Sequence, residues 1–168
     1  MDRMNIRRLQ PSDAEEYRKL RLIALQMHPS AFASSYEEEK ENSSDFYKMR
    51  FQSEESFTFG AFEEEKLVGS VTLLHETKRK LKHRALIVAM YVSDECRRRG
   101  VGKALIAAAL EKANGMAGIE QIYLAVESTN EPAKKLYSSF GFEVFGTDKR
   151  AMKIEDTYFD EDHMVLFL

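Results

Sequence analysis

Alternating and continuous hydrophobic patterns mark four strands in the middle of the chain. Residues 56–62 and 66–74 alternate apolar and polar positions on either side of a short charged turn, which predicts two strands of an antiparallel hairpin. Residues 86–92 form a continuous apolar run, typical of a strand covered on both faces, and residues 121–126 predict a second buried strand. The middle of the chain therefore predicts a sheet that is covered by other elements.

Helix start and stop signals place two helices in the first third of the chain. A short strand is predicted at residues 5–9, and the capping box Ser12–Glu15 predicts the start of a helix that continues to about Met27. The sequence His28-Pro29-Ser30 ends that helix, and a second helix is predicted from Tyr36 to about Phe51. The first third thus consists of one strand followed by two helices.

Helices and strands alternate after the long apolar run. Helices are predicted at residues 103–117 and 130–140, and Gly141 is the expected C-terminal stop of the second. Strands are predicted at about 142–146 and 163–168. The complete order, β-α-α-β-β-β-α-β-α-β-β, predicts an α/β fold around a mixed central sheet of about seven strands, with helices on both faces.

Composition narrows the class of protein without changing this fold. The 168 residues, 43% of them hydrophobic, are enough for one well-packed domain, which we expect to span residues 1–168. A net charge of −3 argues against nucleic-acid binding. The single cysteine, Cys96, excludes an intrachain disulfide, the start lacks a signal-peptide core, and no apolar run is long enough to span a membrane. We therefore expect a soluble, cytoplasmic protein that binds neither nucleic acid nor membranes.

A basic glycine turn, Arg97-Arg98-Arg99-Gly100-Val101-Gly102, connects the long apolar strand to the helix that follows. Backbone N–H groups and the positive end of the helix dipole converge at such a turn, so it is a candidate phosphate site. A Walker A loop is rejected because Ala104 stands where its Ser or Thr belongs. A dinucleotide fingerprint matches weakly because Leu105 replaces its third glycine.

Two motifs carry a resemblance to a known family. Arg97, Gly100 and Gly102 match R/Q-x-x-G-x-G/A, and residues 130–142 match N-x-x-A-x-x-L-Y-x-x-x-G-F. With the element order, they resemble the GNAT superfamily of N-acetyltransferases along essentially the whole chain. The resemblance implies acetyl-CoA as cosubstrate and no metal. It implies pyrophosphate binding by Arg97, Arg98, Arg99, Gly100, Val101, Gly102, Lys103 and Ala104, and contact with the rest of the cofactor by Met90, Tyr91, Val92, Asn130 and Tyr137.

The pyrophosphate assignment has a physical basis in the turn itself. Consecutive N–H groups from Arg99 to Ala104 are expected to point at the phosphates, and the side chains of Arg97 and Lys103 add positive charge. The alternative for the arginine run is a solvated turn. For Asn130 the alternative is the N-cap of its helix.

Acetyl transfer needs a donor to the departing thiolate and a base that takes a proton from the amine. The resemblance assigns the donor to Tyr137, although its place on an apolar helix face also fits a core tyrosine. Residues 85–92 contain no carboxylate that could act as the base. The base is left open among His75, Glu76, His83, Glu127 and an ordered water.

The segment that joins the first two helices is the expected acceptor side in this family. Phe32 and Tyr36 are candidates for an apolar wall, and Glu127 is a candidate for binding the acceptor substrate. The acidic residues 37–39 either attract a cationic amine or form a solvated first turn of a helix.

Two functions from different classes are compatible with these features. The first is transfer of an acetyl group from acetyl-CoA to a primary amine, on a small molecule, a protein N-terminus or a lysine, by direct attack in a ternary complex. The alternative is a non-catalytic acyl-CoA sensor or regulatory module. The apolar residues 164–168 are a candidate strand for a sheet shared in a homodimer. The identity of the acceptor stays open.

Overall fold

The elements of the computed structural model, which describes residues 4–168, follow the predicted order. Residues 1–3, part of the start that lacks a signal-peptide core, lie outside the described residues. The helices are α1 (Ala14–Met27), α2 (Tyr36–Glu39), α3 (Ser44–Phe51), α4 (Val101–Asn114) and α5 (Glu131–Ser139). The strands are β1 (Met4–Arg8), β2 (Ser56–Glu63), β3 (Lys66–His75), β4 (Arg84–Val92), β5 (Gln121–Glu127), β6 (Glu143–Ile154) and β7 (Thr157–Phe167).

All seven strands form one mixed sheet in the order β1-β2-β3-β4-β5-β7-β6. β4 and β5 are parallel, whereas every other neighbouring pair is antiparallel. One cluster of buried apolar side chains includes α4 and Tyr137 of α5, and a second includes α1 and α3. Leu67 and Val68 are neighbours in β3 and belong to different clusters, so the clusters lie on opposite faces of the sheet. The predicted α/β fold is confirmed.

The parallel pair separates soon after it begins. Residues 84–86 of β4 align with residues 121–123 of β5, and no further pairing joins the two strands in the described part of the chain. β4 nevertheless continues to Val92 and β5 to Glu127. A gap therefore opens in the sheet between the C-terminal ends of two neighbouring strands, and each strand keeps backbone groups facing it.

A β-bulge in β4 lies beside this gap. The register with β3 shifts by one residue at the bulge, and Ala89 has a φ of 55°, in the left-handed region. The extra residue reverses the alternation of side chains. As a result Ile87, Met90 and Val92 all pack on the α4 cluster, whereas Tyr91 packs on the α1 cluster. The end of β4 thus supplies side chains to both faces of the gap.

The predicted helix from Tyr36 to Phe51 is wrong in its middle, where residues 40–43 separate α2 from α3. Arg18 of α1 donates hydrogen bonds to two carbonyl oxygens of this break, those of Lys40 at 3.1 Å and Asn42 at 2.8 Å. The break is stable because a guanidinium from another helix replaces the lost helical hydrogen bonds. Sequence periodicity alone does not reveal that partner.

The predicted capping box at Ser12–Glu15 does not form. A 3-10 turn at Pro11–Asp13 precedes α1, and the Asp13 carboxylate accepts the N–H of Gln10 at 2.7 Å. The same carboxylate pairs with Arg7 at 2.8 Å. The ion pair between Asp13 and Arg7 of β1, together with Pro11 at the start of the turn, favours a 3-10 turn that ends at Asp13.

The last two strands are much longer than the sequence predicts. The predicted strands at 142–146 and 163–168 are only the apolar ends of β6 and β7. Both strands continue through charged residues to a hairpin turn between Ile154 and Thr157. β7 lies between β5 and β6, and residues 161–165 are paired on both edges. Residues 164–165 are therefore not available to a shared sheet, and a homodimer through the last residues of the strand stays a prediction.

A buried ion pair holds α2 and α3 against α1. Arg21 and Glu39 meet at 2.7 Å, and the Tyr47 hydroxyl donates to Glu39 at 3.0 Å. The Arg21 guanidinium also lies 4.8 Å from the centre of the Phe32 ring. Glu39 is only 8% exposed, so its charge serves the interior of the fold.

We expect Glu39→Gln to lower the free energy of unfolding by about 3 kcal/mol, because it leaves the Arg21 guanidinium buried without a countercharge. Urea denaturation measures the loss. Glu41→Gln, which removes an exposed carboxylate from the following break, is the matched control and should change stability by less than about 0.5 kcal/mol. Equal effects of the two substitutions would contradict the role given to the buried pair.

Candidate active site

The gap between β4 and β5 opens into a cleft of about 620 Å³. Five segments line it: the turn after α1, the end of β4, the glycine turn before α4, the end of β5, and the first turns of α5. The cleft therefore brings together both sequence motifs and the segment between the first two helices. These parts are far apart in the chain and meet only because β4 and β5 separate.

The N-terminus of α4 forms one end of the cleft. Gly100 is its N-cap with a φ of 80°, a conformation that suits glycine, and Arg98 also has a positive φ of 64°. The N–H groups of Val101, Gly102 and Lys103 belong to the first turn and have no partner within the helix. They form an anion-binding end of the cleft.

Ala104 does not belong to this anion-binding end, contrary to the sequence prediction. Its N–H donates to the Gly100 carbonyl oxygen at 3.0 Å, and its side chain lies on a different groove, beside β1 and β2. The fourth helical residue is the first whose N–H is used by the helix itself. The run of available N–H groups therefore stops at Lys103.

The three consecutive arginines have different surroundings. Arg97 donates to the Val92 carbonyl oxygen at 3.2 Å and pairs with Asp94 at 3.3 Å, so it braces the loop. The Arg99 side chain does not line the cleft and pairs with Glu63 at 2.9 Å, so the predicted contact of Arg99 with a ligand rests on its backbone N–H alone. Arg98 lines the cleft, as does Lys103, and neither has an ion pair among the described residues.

Gly102 lies in the first turn of α4, where the helix lines the cleft. A Cβ atom added at this position would stand 3.1 Å from Met90 Cε and 3.2 Å from Leu136 Cδ2. Met90, Gly102 and Leu136 all line the cleft. A larger residue at this position would therefore compete for space with the side chains that shape the cleft.

The end of β4 and the start of α5 form the middle of the cleft. Met90, Tyr91 and Val92 line it as expected from the sequence. Asn130 lines it as well, and its Oδ1 accepts the N–H of Ala133 at 3.2 Å, so this residue is also the N-cap of α5.

A hydrogen-bonded carboxylate ties the start of α5 to the sheet. Asp162 of β7 pairs with Lys134 at 2.8 Å and accepts the hydroxyls of Ser128 at 2.7 Å and Thr147 at 2.9 Å. The Lys134 ammonium and the two hydroxyls lower the pKa of Asp162 to about 2. This network fixes the loop that carries Asn130.

Tyr137 projects from α5 into the same cleft. Its side chain is 7% exposed, and its ring packs edge-on against Phe142 with a centroid distance of 6.1 Å. Burial raises the pKa of the phenol to about 12, and no described residue makes a hydrogen bond with its hydroxyl. Tyr137 is therefore both a core residue and a protonated, unpartnered donor at the cleft.

Cys96 is not an activated thiol. It is buried, and its Sγ faces the Glu63 carboxylate at 3.6 Å. Burial, and then the neighbouring carboxylate, raise the pKa of the thiol.

The acceptor side of the cleft contains two of the three predicted residues. Phe32 and Glu127 line it, whereas Tyr36 packs against the α1 cluster outside it. The Phe32 and Tyr91 rings lie 6.4 Å apart and form an aromatic wall. Glu39, expected as part of an acidic patch, is held by Arg21 and is not available to a ligand.

Sequence reasoning missed two polar residues of this side. His28 Nε2 lies 2.9 Å from Asp94 Oδ1, and the Ser30 hydroxyl donates to Glu127 Oε2 at 2.9 Å. Their partners are 66 and 97 residues away along the chain, so no local pattern indicates these contacts. His75, Glu76 and His83, which were candidates for the base, do not line the cleft.

Comparison with known proteins identifies the family. The model of the acetyltransferase (GNAT) domain family matches residues 6–164, which is most of the chain. The chain belongs to the GNAT acetyltransferase family. Membership confirms the resemblance carried by the glycine turn and the α5 motif.

Individual GNAT relatives are more distant. L-amino acid N-acetyltransferase AaaT of Escherichia coli (strain K12) is 30% identical over 98 residues, which are 58% of this chain and 60% of that protein. The chain spans 25% and 60% of the length of the first two curated relatives that it matches.

Solved structures show the same fold over the whole chain. A GNAT-family acetyltransferase from Streptococcus pneumoniae has a TM-score of 0.82 and 22% identity, with 99% of this chain and 100% of that chain covered. NAA60 of Arabidopsis thaliana, in complex with acetyl-CoA, has a TM-score of 0.77 and 22% identity, with 99% of each chain covered.

Two further findings concern residues 4–168 alone. No group of three or more His, Cys, Asp and Glu side chains in this range is arranged to hold a metal ion. No helix in this range has the length and hydropathy needed to cross a bilayer.

The Asp162 network predicts a specific pH dependence of stability. Since the pKa of Asp162 is about 2 when folded and 3.8 in its ordinary state, its charge stabilises the folded protein above about pH 4. That stabilisation is lost as the pH falls through the folded pKa. We expect the difference in unfolding free energy between wild type and Asp162→Asn to be constant from pH 5 to 7 and to shrink towards pH 2. Urea denaturation at several pH values measures it, with Asp156→Asn in the exposed β6–β7 turn as the control.

Proposed function

We propose that this chain transfers an acetyl group from acetyl-CoA to a primary amine within a ternary complex. The observation that carries the proposal is the buried phenol of Tyr137, whose hydroxyl has no partner within residues 4–168 and which lies in the same cleft as the available N–H groups of α4. An anion-binding end and a protonated donor in one cleft suit a ligand that carries phosphates at one end and a reactive sulfur at the other. GNAT membership makes acetyl-CoA the natural identity of that ligand.

The residues present fit this donor. The N–H groups of residues 101–103 would bind the pyrophosphate, and Arg98 and Lys103 would add countercharge. The end of β4 lacks a partner strand on its β5 side, so its backbone groups are available to the amides of pantetheine. NAA60, which has the same fold, was solved in complex with acetyl-CoA, and this supports acetyl-CoA as the ligand.

Acetyl-CoA supplies the thioester: the amine nitrogen forms a bond to the carbonyl carbon, and the carbon–sulfur bond breaks. Tyr137 donates a hydrogen bond, and then its proton, to the departing sulfur. The nitrogen releases one proton, and a proton from solvent restores the phenol, so charge and protons balance. β4 presents no carboxylate to the cleft, which leaves Glu127 or ordered water to take the amine proton.

The amine as acceptor is supported by relatives rather than by a bound ligand. The Escherichia coli relative is named for N-acetylation of L-amino acids. Small molecules, protein N-termini and lysine side chains all present a primary amine, so the proposal covers all three.

Gly102→Val tests the donor site. We expect the dissociation constant for acetyl-CoA, measured by isothermal titration, to rise by a factor of ten or more, since the new side chain meets Met90 and Leu136 at the cleft. Ala107→Val makes the same helix bulkier at an exposed position outside the cleft and should bind normally. Unchanged affinity of a folded Gly102→Val protein would overturn the pyrophosphate assignment.

Tyr137→Phe tests the transfer itself, with release of the CoA thiol measured over a panel of polyamines, amino acids, aminoglycosides and N-terminal peptides. We expect kcat to fall about 100-fold with little change in the KM for acetyl-CoA, because the ring still packs and only the donor is lost. Tyr123→Phe, outside the cleft, is the control.

Two results would contradict the proposed function. Equal turnover by Tyr137→Phe and wild type would make Tyr137 a packing residue. Tight binding of acetyl-CoA by the wild type without turnover of any amine would favour the sensor in place of the enzyme.

A further inference from the structure

Glu127 is the only carboxylate that lines the cleft within residues 4–168. Arg98 and Lys103, which have no ion pair among the described residues, belong to the glycine turn and the start of α4. Glu127 stands at the end of β5 and contacts the turn after α1, on the acceptor side. The cleft is thus basic where phosphates would bind and acidic where the acceptor would enter.

Two hydroxyl groups fix the position of this carboxylate. Ser30 Oγ donates to Oε2 at 2.9 Å, and Thr129 Oγ1 donates to Oε1 at 3.1 Å. Each carboxylate oxygen can still accept another hydrogen bond. Glu127 is therefore a half-buried acceptor held by two separate segments of the chain, and it is able to receive a further donor.

The surroundings of Glu127 favour a cation. The Phe32 and Tyr91 rings line the same cleft. Arg21 already lies over the Phe32 ring, so Tyr91 is the ring that could attract a bound ammonium group. The Tyr137 hydroxyl lines the same cleft and has no hydrogen-bond partner among the described residues, so it can donate to a ligand bound there.

Among residues 4–168, the two basic side chains on this side of the cleft, Arg97 and His28, already have partners. Arg97 is engaged by Asp94 and by the Val92 carbonyl oxygen, and His28 is bonded to Asp94. Arg98 and Lys103 lie with the N–H groups that form the anion-binding end. An acceptor with a carboxylate next to its amine would bring that carboxylate towards Glu127 without a countercharge.

We propose that Glu127 binds the ammonium group of the acceptor and makes the enzyme select primary amines that lack an adjacent carboxylate. Amino-acid amides, peptide N-termini and alkyl amines have this chemistry, whereas free amino acids do not. Selection arises from repulsion of the wrong acceptor as well as from attraction of the right one. The inference rests on the proposed acetyl transfer and specifies its substrate class.

Matched acceptors test this selection. L-alanine with L-alaninamide, L-leucine with L-leucinamide and L-lysine with L-lysinamide differ only in the carboxylate. The measurement is the ratio of kcat/KM for amide over acid, from thiol release. We expect the wild type to favour the amides at least about tenfold. In Glu127→Gln the ratio should fall about tenfold, and Glu127→Lys should favour the acids.

The amine of an amino-acid amide loses its proton more easily than the amine of the free acid, and this alone would favour the amide. The deciding quantity is therefore the change in the amide-to-acid ratio of kcat/KM between wild type and variant. Glu161→Gln, one strand away and outside the cleft, removes the same charge and should keep the wild-type ratio.

Three outcomes would overturn the inference. Wild-type preference for the free acids would do so without any variant, so the test does not depend on the folding of Glu127→Gln. The same ratio in wild type and folded Glu127→Gln would do so as well. Either result leaves acetyl transfer intact, whereas acetyl-CoA binding without turnover of any amine would remove the proposed function too.

Discussion

The separation of β4 from β5 is the constraint on which the rest of this molecule depends. Backbone N–H and C=O groups in a sheet interior require partners, and here two neighbouring strands give up their mutual pairing after residues 84–86. The bulge at Ala89, with its positive φ, turns the end of β4 out of the regular ladder. The fold thus leaves the ends of two neighbouring inner strands, β4 and β5, unpaired with each other.

Charge in the cleft follows from the same topology. The parallel pair requires a crossover, and that crossover is α4, whose N-terminus therefore starts beside the end of β4. The end of β5 lies across the gap and carries Glu127, which Ser30 reaches from the turn after α1. A positive helix end and a fixed carboxylate consequently line a single cleft. The proposed donor, which carries phosphates, is negative and would bind at the positive helix end. The proposed acceptor, which carries an ammonium group, is positive and would bind at the carboxylate.

Local patterns predicted the parts of the structure that local interactions determine. The strand, the glycine turn and the helix form one contiguous unit, so their residues indicate their own geometry, as Gly100 does with its left-handed backbone. Side-chain direction was predicted less well. Arg99 turns to Glu63, and Tyr36 packs on the α1 cluster, because the partners that orient them are distant in the chain. The full length of the β6–β7 hairpin was not predicted, because its many charged residues interrupt the alternation of apolar and polar positions that indicates a strand.

The burial of Tyr137 bears directly on the chemistry proposed for it. A phenol with a pKa near 12 is a weak acid beside a thiol, whose ordinary pKa is about 8.5, so proton transfer in water would be unfavourable. A thiolate leaving inside the same cleft would also lose hydration, and burial raises its proton affinity in the same direction. The proton affinity of the departing thiolate therefore approaches that of the Tyr137 phenolate only if both groups lie in the same desolvated environment. Burial, which marks Tyr137 as a core residue, is thus a condition for its use as the donor.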